Sequence, residues 1–514
     1  MESKDVRIAV LQAAEVCPAW LVRAHQLMKR AGYSGITCVL ALAGPLAPPR
    51  RRLARLALTP VEYLEKRSYN PSQLDALATG PIPESEVRTV RSPGDLQAAL
   101  AQCAPDIILC EADCPLDLIK SVIVEKGIRI WMLDECWSDV LPTRFVRSWL
   151  NTTGCVETAL NEISAARRQR RLAGTRSQVV SLSMSQGIHS HFWKIAHLPL
   201  RALLGQTFPL DSASGTLSRL TDKELWRVAQ AQIQRRVRDR LLRSAGHRWV
   251  LAVGKQSQDA LPGAPHGFAP ITPSPGQSWA DPFLAFDNNR HYVFFEEVNS
   301  DQGRGHIAAA EMDSAGLLGS PRIVLQMPWH LSYPHVFRFE GRWYMLPESG
   351  AQRRVDLYEA VEFPYRWQRK RTLIDNISAY DSTLLWHDDT WWLFSTISDG
   401  HGVPASDELY IHYTDDLLAG SWTPHVANPV VSDATCARPA GSFFYCGGRW
   451  LRPAQDSSGR YGYGLVIHEV ETLTKTEYRE RLCRRILPGS IGAQVRGIHT
   501  YNASHGLAVV DFLV

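Results

Sequence analysis

The chain has 514 residues, of which 45% are hydrophobic and 21% charged, with a formal net charge of +4. That length is too great for one ordinary core and calls for two or three globular domains. So small a positive balance gives no electrostatic ground for a nucleic-acid partner.

The opening segment, MESKDVRIAVLQ, lacks the basic-then-apolar pattern of a signal peptide. No apolar run approaches the length of a membrane span. The ten Cys are scattered without zinc-type spacing, as expected of reduced thiols in a cytosolic protein. A cytoplasmic location is therefore expected, with the inner face of the membrane as a variant of it. More than half of the 16 Trp fall after Ser278. Such residues either stack on sugar rings or fill β cores.

In chain order, Val6 to Leu11 reads as a buried strand, Ala19 to Ala31 as a helix and Gly35 to Leu42 as a second strand. The Pro-rich basic stretch PLAPPRRRLARLAL reads as a loop opening into a surface helix. Pro93 to Gln102 reads as a helix, and Asp106–Cys110 and Ile128–Leu133 as further strands. Strands alternating with helices predict a mostly parallel sheet, an α/β domain over residues 1–205. The strand ends carry no Gly-rich phosphate loop, which argues against a Rossmann cofactor site. No cofactor is expected.

Residues 206–275 read as an Arg-rich helical connector and linker. Between Glu162 and His247 the sequence carries ARRQRR (Arg167, Arg168, Arg170, Arg171) and IQRRVRDRLLR (Arg235, Arg236, Arg238, Arg240, Arg243). These fit a solvated helix face, or peripheral contact with an anionic membrane. No aromatic-plus-basic platform for nucleic acid accompanies them.

From residue 276 to 514 helical periodicity almost vanishes. Short alternating runs joined by Asn, Asp and Gly turns predict β-hairpins, as in AFDNNRHYVFFEE and LLWHDDTWWLFST. They recur at about 50–60 residues, a propeller-blade period. The starts are Asp281-Pro282, Tyr333-Pro334, Asp381-Ser382, Arg438-Pro439 and Gly497-Ile498-His499, which predicts five blades. Residues at equivalent blade starts then converge on one funnel.

Two resemblances follow. PDIILCEAD, GIRIWMLDECWSDVLP and VVSLSMSQGIHSHFW make residues 1–205 resemble the N-terminal domain of formyltransferases. Where that family carries an Asn and a His, this chain has Trp131, Met132, Leu133 and Asp134, so formyl transfer is not expected. SWADPF, HLSYPHVF, RWYMLPES, YDSTLLWHDDTWWLF, ARPAGSFF, RPAQDSSGRYGYG and GIHTYN resemble five-bladed propellers of glycoside hydrolase family 43. The same motifs resemble the N-terminal region of glucosamine inositolphosphorylceramide transferases. The fold class expected is thus α/β plus all-β, a formyltransferase-like domain followed by a five-bladed β-propeller.

The hydrolase resemblance implies Asp281 as a base-like carboxylate and Asp381 as the Asp that tunes a neighbouring pKa. Where the hydrolase carries its Glu acid, this chain has Arg438, which cannot donate a proton to a departing alkoxide. Glu348 is the alternative acid. Arg438 instead suits a phosphate leaving group, unless it pairs internally with Asp281, Asp381 or Asp456. The reading is a glycosyltransferase moving a sugar from a nucleotide-sugar or other phosphate-activated donor to a glycan or glycolipid acceptor in polysaccharide or glycolipid assembly. The alternatives are a family-43-type glycoside hydrolase or transglycosidase, and a non-catalytic glycan binder. Trp279, Tyr333 and Tyr463 are candidates for stacking on sugar. His335, Gln455, Asp456, Arg460 and His499 are candidates for polar contact. The His pairs in HLSYPH and GIHSHFW lack partners for a metal site, and no metal is expected.

Overall fold

The computed structural model describes residues 5–43, 75–112, 114, 127–137, 141–151, 153–164, 169–179, 183–206, 220–242, 248–256, 261–263, 265, 267–299, 303–398 and 403–514. No helix among them is long and apolar enough to cross a membrane. The chain divides into two compact units, residues 1–244 with 400–403, and residues 245–399 with 404–514.

The first unit is built on a seven-stranded sheet. Its order is Glu86–Val90, Ile36–Leu42, Ile8–Gln12, Ile107–Glu111, Arg129–Leu133, Cys155–Ile163 and Gln169–Gln178. The first five strands are parallel; Cys155–Ile163 runs antiparallel to Arg129–Leu133, and Gln169–Gln178 antiparallel to Cys155–Ile163. The central strands Ile8–Gln12 and Ile107–Glu111 are buried along their whole length, as parallel strands covered on both faces must be. Helix Pro93–Cys103 starts on a capping box formed by Ser92 and Asp95.

One expectation changes in this unit. Gln169–Gln178, expected to be helical, is an edge strand; Arg170 and Arg176 pair with Glu162 and Glu157 on the adjacent strand. Cross-strand charge pairs of this kind hold basic residues in a sheet that helical propensity alone would not suggest. Asp134 accepts the Ala159 N–H at 2.6 Å and lies 3.4 Å from Arg144, a structural anchoring. The segment PLAPPRRRLARLAL, Arg167, Arg168 and Arg243 lie outside the described residues.

The second unit is a five-bladed β-propeller with four antiparallel strands per blade. Blade 1 comprises Gln277–Asp287, Arg290–Asn299, Gly305–Met312 and Arg322–Leu325. Blade 2 comprises Ser332–Phe339, Arg342–Glu348, Arg354–Glu362 and Arg366–Asp375. Blade 3 comprises Ser378–His387, Thr390–Ser398, Leu409–Thr414 and Thr423–Pro424. Blade 4 comprises Phe444–Cys446, Arg449–Asp456, Gly464–Leu473 and Tyr478–Ile486. Blade 5 takes Tyr501–Ser504 and Leu507–Leu513 from the C-terminal end, then Trp249–Lys255 and Ala269–Ile271 from ahead of blade 1.

The segment 206–275, expected as connector and linker, therefore supplies two strands of the propeller. Trp249–Lys255 pairs residue for residue with Leu507–Leu513, which closes the ring and removes an open edge. Apolar layers join neighbouring blades. Phe283, Phe294 and Tyr333 pack between blades 1 and 2. Leu251 and Val509 of blade 5 pack with Trp279 and Phe295 of blade 1.

Candidate functional site

The inner strands of blades 1, 2 and 3 share one irregularity. Each slips register at the same point, and at the slip one non-glycine residue has positive φ: Asp281 (51°), Tyr333 (43°) and Asp381 (50°). L-residues adopt this left-handed conformation at a cost, and such strain concentrates at functional sites. The bulge interrupts the strict in-and-out alternation of the strand and re-aims a side chain. The paired Pro or Ser that follows each of these residues is the sequence trace of this turn. In blade 4 the equivalent stretch pairs through the Gln455 N–H to Arg438 O at 2.8 Å and the Ala440 N–H to Pro453 O at 3.2 Å.

Asp281 is 3% exposed, and each of its carboxylate oxygens accepts a hydrogen bond. Its Oδ1 accepts the Thr500 hydroxyl at 2.7 Å, and its Oδ2 accepts the Tyr333 N–H at 3.2 Å. Its own N–H donates to Asp511 Oδ2 at 2.9 Å. His499 lies between the two carboxylates, with Nε2 3.6 Å from Asp281 Oδ1 and Nδ1 2.6 Å from Asp511 Oδ2. The second contact is a close ion pair without the alignment of a hydrogen bond. Asp511 Oδ1 also accepts the N–H groups of His499 and Thr500, both at 3.0 Å. Burial disfavours the His499 charge, but Asp511 and then Asp281 more than compensate, and its pKa rises to about 9. Burial raises Asp281 to about 7, against the pull of His499 and with the push of Asp381. A buried base poised near neutrality beside a fixed cation is thus built from blades 1 and 5.

The second cluster is Asp381, Glu348 and Arg438. Arg438 Nε donates to Asp381 Oδ2 at 2.5 Å and its Nη2 to Oδ1 at 3.3 Å. Nη2 also reaches Glu348 Oε2 at 3.4 Å. Gln455 Nε2 donates to Asp381 Oδ2 at 2.8 Å. Tyr461 and Tyr380 present their rings to the guanidinium at 4.8 and 5.7 Å. Burial opposes the Arg438 charge, and Asp381 leads the groups that hold it on. Burial and then the Asp381 charge push Glu348 well above the usual carboxylate range, against the pull of Arg438.

Both clusters face one cavity of about 340 Å³, lined by Asp281, Glu348, Arg438 and His499 together with Trp249, Ser278, Ala280, Glu296, Val298, His330, Ser332, Tyr380 and Tyr461. Trp249 stacks on His499 at 4.0 Å and Tyr461 meets it edge-on at 5.4 Å. Aromatic faces, buried carboxyls and a mouth of this volume suit a polar, ring-shaped ligand such as a sugar.

Of the residues singled out in the sequence, Asp281, Glu348, Arg438 and His499 line this cavity, and Asp381 backs it through Arg438. The bidentate phosphate clamp expected of Arg438 meets a competitor. The Nε–Nη2 edge is occupied by Asp381, which leaves Nη1 as the nitrogen without a hydrogen bond among the described residues.

The remaining candidates are not among the residues that line this cavity. Tyr333 is fully buried; its hydroxyl pairs with Thr383 Oγ1 at 2.8 Å and accepts the Gly441 N–H at 2.7 Å. Buried His335 accepts the Leu384 N–H at 3.3 Å, and burial lowers its pKa to about 3. Trp279 donates to Glu297 at 2.8 Å and packs on Phe295. Gln455 orients Asp381. Asp456 is ion-paired with Arg485, and Arg460 donates to the Arg496 carbonyl. Tyr463 is absent from the cavity wall, where Tyr461 stands in its place.

Asp281, His499 and Asp511 also place ligand atoms within 4.8 Å of one another, as a cation site would. The proton that His499 holds up to about pH 9 competes for the same nitrogen, so a metal there would have to displace it.

Residues 270–505 match the family model for glucosamine inositolphosphorylceramide transferase 1, N-terminal. The propeller resembles that N-terminal region. The chain is 38% identical over 209 residues to glucosamine inositolphosphorylceramide transferase 1 of Oryza sativa subsp. japonica, a match covering 40% of this chain and 28% of that protein. The enzyme of the same name from Arabidopsis thaliana is 34% identical over 231 residues, covering 44% of this chain and 29% of that one. The chain thus spans less than a third of the length of these relatives.

Among solved structures, a family 117 glycoside hydrolase from Zobellia galactanivorans is similar at 11% identity and a TM-score of 0.35, over 52% of this chain and 90% of that one. The catalytic domain of a family 62 α-L-arabinofuranosidase from Coprinopsis cinerea is similar at 15% identity and 0.35, over 49% and 95%. The likeness of residues 1–205 to formyltransferases rests on the sequence motifs alone.

Proposed function

We propose that the propeller is a carbohydrate-active enzyme that transfers a sugar from a phosphate-activated donor to a hydroxyl of a glycan or glycolipid. The observation that carries the reading is Asp281, buried at the wall of an aromatic-lined funnel and poised near pH 7 beside the cationic His499. Asp281 takes the proton of the acceptor hydroxyl. The acceptor oxygen bonds to the anomeric carbon, the bond to the phosphate oxygen breaks, and the phosphate leaves with its electron pair. A phosphate needs little protonation, and Arg438 Nη1, beside Tyr380 and Tyr461 in the same cavity, receives it. Relatives named as transferases over the propeller region support this choice.

A second reading has its own observation. Glu348 lines the same cavity, and burial raises its pKa well above the usual carboxylate range. It could protonate a departing sugar oxygen, which would make the site a hydrolase or transglycosidase.

Product analysis separates the two. The transferase reading expects label to pass from a nucleotide sugar to an acceptor, with Asp281→Asn losing at least about 100-fold in rate while donor binding is kept. Release of sugar from an aryl glycoside, abolished by Glu348→Gln, would replace it with the second reading. Binding of glycans with no turnover of either kind would leave a binding module.

A further inference from the structure

The helix Asp222–Leu242 in the first unit is organised around two opposed faces. It begins at Thr221, whose hydroxyl accepts the Glu224 N–H at 3.2 Å while Glu224 reaches back to the Thr221 N–H at 2.7 Å. Glu224 also pairs with Arg147 of the helix Thr143–Asn151 at 2.8 Å. One face carries Leu225, Val228 and Gln232, all buried, and Arg235, which stacks on Trp149 at 3.8 Å. The helix is therefore docked on its own unit along that face.

The other face is uncovered. Trp226, Ile233 and Val237 are 61%, 55% and 55% exposed. At 100° per residue they fall on one stripe, interrupted only by the exposed Gln230. A docked helix ordinarily turns such residues inward and places polar ones here. In sequence the helix carries six cationic residues (Lys223, Arg227, Arg235, Arg236, Arg238 and Arg240) against three acidic ones (Asp222, Glu224 and Asp239). Exposed Trp226 stands next to exposed Arg227 at its start. Indole settles at the boundary of headgroup and acyl chain, while basic residues answer anionic headgroups.

We propose that this face lies on an anionic bilayer surface, with Trp226, Ile233 and Val237 entering the interface and the exposed Lys223 and Arg227 of the same helix held by lipid phosphates and carboxylates. The pairing of an apolar stripe with a positive excess on one helix selects this occupant. An apolar protein groove would answer the stripe but leave the charge without a partner, and nucleic acid would answer the charge but not the stripe. The inference is independent of the chemistry of the funnel, although a lipid-linked acceptor would give it an obvious use.

Co-sedimentation of the full chain with vesicles tests it. Vesicles of phosphatidylcholine with phosphatidylserine should bind the protein, pure phosphatidylcholine vesicles should bind it weakly, and added salt should release it. The double variant Trp226→Ser/Ile233→Ser should bind anionic vesicles at least about tenfold more weakly, and Arg227→Glu should weaken binding in the same direction. Both alter exposed side chains, and an unchanged melting temperature shows that the fold is kept. Failure to bind anionic vesicles at low salt overturns the proposal. So does binding that the double variant leaves undiminished. A wild-type dimer in sedimentation velocity that the double variant converts to monomer overturns it in favour of a second copy of the chain.

Discussion

Asp281, His499 and Asp511 form a chain of charge in which each group sets the state of the next. Asp281 holds its proton up to about pH 7, where the ordinary value is 3.8, and His499 holds its proton up to about 9, where the ordinary value is 6.5. Both values are raised by folding, so the native state binds more protons than the unfolded chain across these windows. The stabilisation is full below the unfolded values and is lost as pH rises through the folded ones. The catalytic consequence has the same source. The rate should rise with pH as Asp281 ionises near 7 and fall as His499 loses its proton near 9. Asp511 is the leading group that keeps His499 charged. Asp511→Asn should therefore move the falling limb down towards 6.5 and leave the substrate specificity unchanged, as read from a pH–rate profile of wild type and variant. A falling limb that does not move would detach Asp511 from this role.

At the residue scale the sequence was legible wherever a strand-start motif repeated. Asp281, Asp381, Arg438 and His499 stand at such starts, and Glu348 ends a hairpin that the pattern makes visible. Tyr461 was not legible, because it lies in a turn where alternation no longer says which side chain points inward, and the neighbouring Tyr463 carried the same appeal. Asp511 left a usable signal in VVDFLV, a charge inside an otherwise apolar strand. A buried carboxylate of that kind requires partners, and here they are His499 and three backbone N–H groups.

At the scale of elements, the ring depends on a strand that the sequence presents as part of a linker. Trp249–Lys255 and its short partner Ala269–Ile271 are separated from the C-terminal strands of blade 5 by the other four blades, and no tight turn joins the two to give a local hairpin signal. Its pairing is with the end of the chain, and periodicity within a window cannot report so distant a partner. The strand has two uses. Leu251 seals blade 5 against blade 1, and Trp249 reaches the funnel to stack on His499. Leu251→Ala should cost about 2–5 kcal/mol, the price of a cavity in a closed core. A linker residue would cost less than about 0.5 kcal/mol. Chemical denaturation distinguishes the two, and a shift in midpoint without change of slope would place the loss in the native core. The first-unit strands were legible for a different reason: buried parallel strands are short apolar runs, as in IAVLQ and IILCE. Gln169–Gln178 was not, since its Arg-rich sequence gives no apolar alternation and only its charge partners on the adjacent strand explain it.

On the scale of the molecule, one chain carries both an α/β unit and a propeller, and the propeller gathers residues far apart in sequence into one funnel. The blade count was readable because five starts recur, and closure of the ring follows from that count. The chemistry was readable only in part. Residue types at the blade starts are visible in sequence, whereas the pairing of Arg438 with Asp381 is a property of their approach across the channel, and it decides how much of the guanidinium is left for a ligand.

The central claim is that this funnel takes a sugar ligand between its aromatic and carboxylate walls. Thermal unfolding of the protein against a panel of nucleotide sugars and glycans tests it most directly, because a ligand that binds the native state raises the melting temperature by mass action. The account predicts a rise for at least one sugar ligand that Tyr461→Ala abolishes and Asp281→Asn retains. No rise with any of them, or a rise indifferent to Tyr461→Ala, would contradict it.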